Sequence, residues 1–111
     1  MKFVKKPLPI EAIKCTKANE EEIIKLLASG TTEWEPVTDD NFNIVGFNIH
    51  SWEGVDPVYY DPKKNTNKSH PNGAEYYIIK GLKGECYPCI KDDDAEAPLG
   101  YEPYIERKEE N

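Results

Sequence analysis

The stretch YYIIKGLKGECYPCI, residues 76–90, decides the fold class of this chain. Two runs rich in β-branched and aromatic residues, 76–80 and 85–90, flank a short turn with a glycine at each end. Two such runs around a glycine-containing turn are typical of a β-hairpin. Pro88 removes a backbone donor, which predicts that the second strand lies at a sheet edge or carries a bulge. The sequence therefore predicts an antiparallel hairpin as the centre of the fold.

A helix is predicted over residues 20–29. Ile23 and Leu27 belong to an apolar stripe at helical spacing. Asn19 is a favoured N-cap residue, and Gly30 stands where a left-handed C-cap glycine belongs. The apolar stripe indicates that one face of this helix packs on the strands.

The other segments carry weaker patterns. We predict extended segments over 2–6, 10–16, 43–52, 58–60 and 101–105, a polar connection over 31–42 and a surface loop over 63–73. Along 43–52, Phe47 and Ile49 alternate with Asn48 and His50, which fall on the opposite face. The pattern as a whole predicts one α+β domain over 1–105 with a polar tail over 106–111. Its expected form is a small, twisted, mostly antiparallel sheet or partial barrel with one main short helix packed on it.

Charge and composition exclude several classes of protein. The chain has 111 residues and a formal net charge of −7. Generalised duplex nucleic-acid binding is not expected, because phosphate neutralisation needs a basic surface. No apolar run approaches the roughly 20 residues of a spanning helix, and the N-terminus lacks the apolar region of a signal peptide. Together with an odd count of three cysteines, these features predict a cytoplasmic protein without membrane contact or a disulfide framework.

Cys86 and Cys89 form a C-x-x-C motif with two chemical interpretations. Redox catalysis needs a lowered thiol pKa, and the acidic residues that follow Ile90 oppose this. A zinc site needs two more ligands, for which Cys15, His50 and His70 are the candidates without a recognisable second pair spacing. Free cysteines in a hairpin are the simpler interpretation, and no cofactor or metal is expected.

Signatures of catalysis are missing from the sequence. It contains no G-x-S-x-G, P-loop or G-x-G-x-x-G motif. We therefore expect a non-catalytic protein. The enzymatic alternative is a small hydrolase built around His50 and carboxylates from scattered positions.

Two stretches resemble a family. Residues 5–16, KKPLPIEAIKCT, look like the KKP-x-x-IEA-x-x-x-T opening of small phage and prophage proteins of the PGDYG type. Residues 77–89, YIIKGLKGECYPC, are similar to their YIIKG-x-KGEFYPC segment. The chain departs from the family at 74–76, at Cys86 and in a longer stretch over 52–74. The resemblance implies a small α+β fold and a phage accessory protein, without implying an activity.

The sequence leads to two functional hypotheses. The first is a phage-encoded counter-defence protein that sequesters a small anionic ligand, such as a cyclic nucleotide immune signal, in an infected cell. Aromatic side chains stack on bases, and lysines meet phosphates, without catalytic groups. The candidate ligand contacts are Asn48, His50, Trp52, Tyr59, Tyr60, Tyr76, Lys80, Lys83 and Tyr87. The second hypothesis is an inhibitor that presents an acidic surface to a basic host defence protein. A homo-oligomer formed through an exposed edge strand is compatible with both.

Overall fold

Six strands and one main helix make up the described part of the chain. The structure, a computed structural model, describes residues 1–3, 8–51 and 54–102. The elements are β1 (Glu11–Lys14), α1 (Glu20–Ser29), β2 (Trp34–Thr38), β3 (Ile44–Ser51), β4 (Gly54–Tyr59), β5 (Tyr76–Lys80) and β6 (Cys86–Ile90), with short 3-10 turns at Lys17–Asn19 and Pro62–Lys64. The predicted α+β class with one main helix is confirmed. Within the described ranges, no helix is long and apolar enough to cross a membrane.

The strands form two antiparallel three-stranded sheets. The predicted hairpin forms as β5 and β6, and β1 pairs along the other side of β5, giving the order β1-β5-β6. We call this the hairpin sheet. Strands β2, β3 and β4 follow one another in a second sheet, which we call the meander sheet. In the part of the chain that the structure describes, the two sheets do not close into a barrel.

Strand β2 lies within the segment predicted as a polar connection. Most of its residues are exposed, so it shows no apolar alternation. Trp34 and Val37 are half-buried, and the ring of Trp34 lies 6.1 Å from the ring of Phe47 on β3. The strand is therefore fixed by pairing with β3 and by one aromatic contact, neither of which is visible in local sequence.

The core lies between α1 and the inner faces of both sheets. Its buried members are Cys15, Ile23, Leu26, Leu27, Phe47, Ile49, Val58, Ile78 and Cys86. The helix contributes its apolar stripe, β3 contributes Phe47 and Ile49, and the hairpin contributes Ile78. One helix thus joins the two sheets through a shared apolar core.

Both helix ends differ from the predicted caps. Asn19 stands at the N-cap, but its side chain donates to the carbonyl oxygen of Lys14 (3.0 Å) and makes no cap bond. Gly30 has φ −91°, so the predicted left-handed C-cap is wrong. The glycine is needed for space, because a Cβ there would lie 2.6 Å from the carbonyl oxygen of Gly84 and 2.8 Å from Sγ of Cys86.

Three sheet edges carry a proline. In the register of each sheet, Pro36, Pro57 and Pro88 fall on pairs that exchange no ladder bonds, so their nitrogens face away from the neighbouring strand. An edge without that donor is a poor template for another strand. The predicted homo-oligomer is therefore not favoured at the edges formed by β2, β4 and β6.

The loop predicted over 63–73 is anchored on the meander sheet by Asn65, which is 7% exposed. Its side chain accepts from the backbone nitrogen of Tyr59 (2.9 Å) and donates to the carbonyl oxygens of Tyr59 and Ala74 (3.0 Å each). The backbone N–H and C=O groups of Tyr59 point away from β3, at the outer edge of β4. The side-chain amide of Asn65 therefore supplies the hydrogen bonds that a further strand would otherwise make there. The predicted segments 2–6, 101–105 and 106–111 fall largely or wholly outside the described residues.

Candidate functional site

A cleft of about 560 Å³ lies between the two sheets. It is lined by Thr31, Thr32, Glu33, His50, Ser51, Glu85, Cys86 and Tyr87. The lining comes from the α1–β2 connection, the end of β3 and the start of β6. The volume falls within the roughly 300–1,000 Å³ typical of small-molecule sites.

Backbone hydrogen bonds of the α1–β2 connection hold the walls of the cleft. The backbone nitrogen of Thr31 donates to the carbonyl oxygen of Gly84 (2.8 Å), and that of Cys86 donates to Oγ1 of Thr32 (2.8 Å). On the other side, the backbone nitrogen of His50 donates to the carbonyl oxygen of Glu33 (2.9 Å). Three consecutive residues thus bind both sheets and fix the width of the cleft.

The charged groups of the lining are acidic. Glu33 belongs to the meander side and Glu85 to the hairpin side. One carboxylate oxygen of Glu85 accepts from the backbone nitrogen of Lys83 (3.1 Å). Next to the cleft, Nε2 of His50 lies 3.1 Å from Oε2 of Glu35. No Lys or Arg of the described residues lines the cleft, so its field favours cations over anions.

Tyr87 is the aromatic residue of the lining. Its hydroxyl group lies 3.0 Å from that of Tyr101. Burial, followed by this hydrogen bond, raises the pKa of Tyr87 to about 12. The side chain therefore stays neutral at physiological pH and presents a ring and a hydroxyl group rather than a further negative charge.

Two of the nine predicted ligand contacts, His50 and Tyr87, line this cleft. Asn48 and Tyr59 do not line the cleft. The strand pairing places their side chains on the same face of the meander sheet as the side chain of His50. Trp52 lies outside the described residues.

The remaining predicted contacts lie elsewhere. The ring of Tyr60 lies 5.9 Å from that of Phe47 in the core, and Tyr76 packs against the same core. Nζ of Lys80 donates to Oγ of Ser29 (3.0 Å), while Lys83 is exposed in the hairpin turn. Among the described residues, the predicted aromatic residues and lysines are therefore not gathered into one anion site.

The C-x-x-C motif does not form a paired site. Cys86 and Cys89 are three residues apart on β6, and alternate side chains of a strand point to opposite faces. Cys86 is in the core, whereas Sγ of Cys89 is on the outer face, 3.6 Å from the carbonyl oxygen of Leu99. Burial raises the pKa of both thiols. In this fold the two sulfur atoms therefore cannot chelate one ion or form a disulfide with each other.

Metal-binding geometry is likewise missing from the described ranges, where no group of three or more His, Cys, Asp or Glu residues is arranged to hold an ion. The candidate zinc ligands Cys15, His50 and His70 therefore do not converge there with the motif.

Sequence reasoning missed most of the cleft lining, including Thr31, Thr32, Glu33 and Glu85. Their positions follow from the docking of the helix end on the hairpin turn, which no local motif encodes. One signal was available. Residues 26–62 contain seven Asp or Glu residues and neither Lys nor Arg. This stretch includes the whole meander sheet.

Comparisons with family models, with curated proteins and with solved structures found no match to this chain.

Proposed function

We propose that this chain is a non-catalytic binding protein whose meander sheet docks on the basic surface of a protein partner. The observation that carries the proposal is the charge of residues 26–62, with seven acidic residues and neither Lys nor Arg. The resemblance of the two stretches to phage proteins supports a setting in which the partner is a host defence protein and the chain is its phage-encoded inhibitor.

The outer face of the meander sheet is open to a partner. Glu35, Val55 and Pro57 are exposed on it, and Asn48 and His50 are half-buried. At the turn between β2 and β3, Phe42 is 88% exposed and has a positive φ of 64°. Aromatic residues such as Phe42 are enriched in protein interfaces, and charged residues belong to the polar rim.

The electrostatics favour a basic partner. Within the sheet no Lys or Arg neutralises the carboxylates. A cation reaches the same face from the loop after β4, where Nζ of Lys64 lies 5.9 Å from the centre of the Tyr59 ring. A patch of one sign of charge accelerates association with an oppositely charged surface and sets the orientation of docking. Added salt screens such attraction, because the Debye length falls to roughly 8 Å at physiological ionic strength.

The test uses a fluorescently labelled twelve-residue oligolysine peptide and measures its Kd by anisotropy at about 50 and about 200 mM salt, between which the Debye length falls about twofold. We expect binding that weakens at the higher salt. Glu33→Gln with Glu35→Gln should weaken it roughly twofold to thirtyfold, since exposed charge pairs contribute about 0.2–1 kcal/mol each.

The matched control is Asp93→Asn with Asp94→Asn, which removes the same charge from the exposed acidic turn after β6. Its affinity for oligolysine should equal that of the parent chain. Equal weakening in both double variants would show that net charge alone, and not the meander sheet, determines binding. No binding in the parent chain would overturn the proposal.

A second candidate, sequestration of a small anionic ligand, is favoured by one contact. Nζ of Lys64 lies 5.9 Å from the centre of the Tyr59 ring, which places a cation next to an aromatic platform. A thermal-shift screen with cyclic nucleotides tests it. Saturating ligand should raise Tm by several degrees, and Lys64→Ala should abolish that rise. A flat screen would leave only the protein partner.

A further inference from the structure

We infer that the cleft between the two sheets is a socket for one arginine side chain of the partner. This inference rests on the proposed function and adds to it the residue type that the partner inserts. It concerns the cleft itself rather than the charge of the meander sheet as a whole.

The lining fits a guanidinium group. Glu33 lines the meander side of the cleft and Glu85 the hairpin side, and Thr31 and Thr32 add hydroxyl groups. One carboxylate oxygen of Glu85 and the hydroxyl oxygen of Thr32 each accept one backbone hydrogen bond, so the guanidinium would bind at the acceptor sites that remain. A guanidinium carries five N–H donors in a plane and no acceptor, so a lining dominated by acceptors satisfies it. The ring of Tyr87 adds a surface on which a guanidinium stacks. A compact ammonium makes less use of an aromatic wall, so arginine should be preferred over lysine.

Other occupants fit less well. A metal ion would need a converging ligand set, and none is found among the described His, Cys, Asp and Glu residues. A phosphate or carboxylate would face two glutamates without a lysine or arginine in the described lining. The cleft volume of about 560 Å³ also exceeds what a bare ion fills.

The socket is preformed by its backbone contacts. The bonds from Thr31 to Gly84 and from Cys86 to Thr32 fix the hairpin side, and the bond from His50 to Glu33 fixes the meander side. A site that does not need to be ordered on binding retains more of its interaction energy as affinity. An inserted side chain therefore binds walls that are already in place.

The experiment compares two labelled twelve-residue peptides of equal charge, oligoarginine and oligolysine, with the full chain. The measured quantity is the ratio of their Kd values. We expect oligoarginine to bind roughly twofold to fivefold more tightly, as a stacked cation at an exposed site contributes about 0.5–1 kcal/mol. Tyr87→Leu should reduce this ratio to about one, whereas Tyr87→Phe, which keeps the ring, should preserve most of it.

A second variant covers the case in which Tyr87→Leu fails to fold. Thr31→Lys places an ammonium group in the cleft from an exposed position. It should abolish the preference for arginine, while Ala28→Lys adds the same charge on the exposed surface of α1 and should leave the ratio unchanged.

The outcomes separate this inference from the proposed function. A ratio of one in the parent chain, or a full ratio in Thr31→Lys, overturns the socket, while salt-dependent binding of both peptides leaves the acidic docking face intact. Failure of both peptides to bind overturns both proposals.

Discussion

The two sheets share one helix and one core, yet their outer faces differ. On the hairpin sheet, the segment after β6 folds back along the edge of that strand, where the backbone nitrogen of Leu99 donates to the carbonyl oxygen of Ile90 (2.7 Å). It also reaches the outer face, where Lys14 pairs with Glu96 (3.2 Å). Ile79 on that face is fully buried. On the outer face of the meander sheet, Asn48 and His50 of the central strand β3 are half-buried, and Val55 of the edge strand β4 is 50% exposed. Other parts of the protein therefore cover both faces of the hairpin sheet, whereas they cover only the inner face of the meander sheet in the described part of the chain.

This difference indicates a division of labour. The stretches that resemble phage proteins of the PGDYG type lie in or beside the hairpin sheet, since β1 belongs to the first and β5 and β6 belong to the second. The meander sheet is formed by the chain between them, where the departure over 52–74 begins. Under the proposed function, the covered sheet supports the fold and the more open sheet is the one that docks on a partner.

The largest expected effect on stability comes from replacing one side chain by alanine on each of the two outer faces. Ile79→Ala should lower the free energy of unfolding by about 2–5 kcal/mol, because it empties a fully buried site. Val55→Ala should change it by less than about 0.5 kcal/mol, because half of that side chain is already in water. Urea unfolding of both variants measures the difference. Similar losses in the two variants would contradict the assignment of one covered and one open face.

A second test concerns the edge of the meander sheet. Asn65→Ala removes the amide that pairs with both backbone groups of Tyr59 and with Ala74. Leaving such buried groups unpaired should cost about 1–3 kcal/mol in urea unfolding. The neighbouring Thr66 is exposed, so Thr66→Ala serves as the control with little expected change. Equal stability of Asn65→Ala and the parent chain would show that the edge does not depend on this amide.

The smallest expected effect is a pH-dependent one, at the contact between the meander sheet and the helix. The hydroxyl group of Tyr60 donates to Oε1 of Glu20 (2.8 Å), and this bond, with Lys17, lowers the pKa of Glu20. A lowered pKa in the folded state gives stability that is present above the unfolded pKa of about 4.3 and is lost as the pH falls through the folded value. Tyr60→Phe should therefore cost about 1 kcal/mol at neutral pH and less near pH 3.

Urea unfolding at both pH values measures this change. The control is Tyr76→Phe, because the hydroxyl group of Tyr76 accepts from the neutral amide of Asn67 (3.2 Å). Its cost should be the same at both pH values. A cost for Tyr60→Phe that does not change with pH would show that the Glu20 bond contributes no charge-dependent stability.

Local sequence determined the elements whose signals are contained in a few adjacent residues. The hairpin over 76–90 and the helix over 20–29 were predicted from apolar periodicity and glycine-bracketed turns, and both form. The inward-facing Phe47 and Ile49 were predicted from alternation along β3, and both are buried. These patterns are local because a strand or helix repeats its faces every two or 3.6 residues.

Tertiary structure decided the rest. Strand β2 forms because it pairs with β3 and because Trp34 packs on Phe47, although its own residues show no strand pattern. The cleft exists because the end of α1 docks on the hairpin turn, where Gly30 leaves room for Gly84 and Cys86. The sequence by itself determined the apolar periodicity and the run without Lys or Arg. Which of its charged and aromatic side chains meet was decided only by long-range pairing, because residues far apart in the chain come together when the core closes.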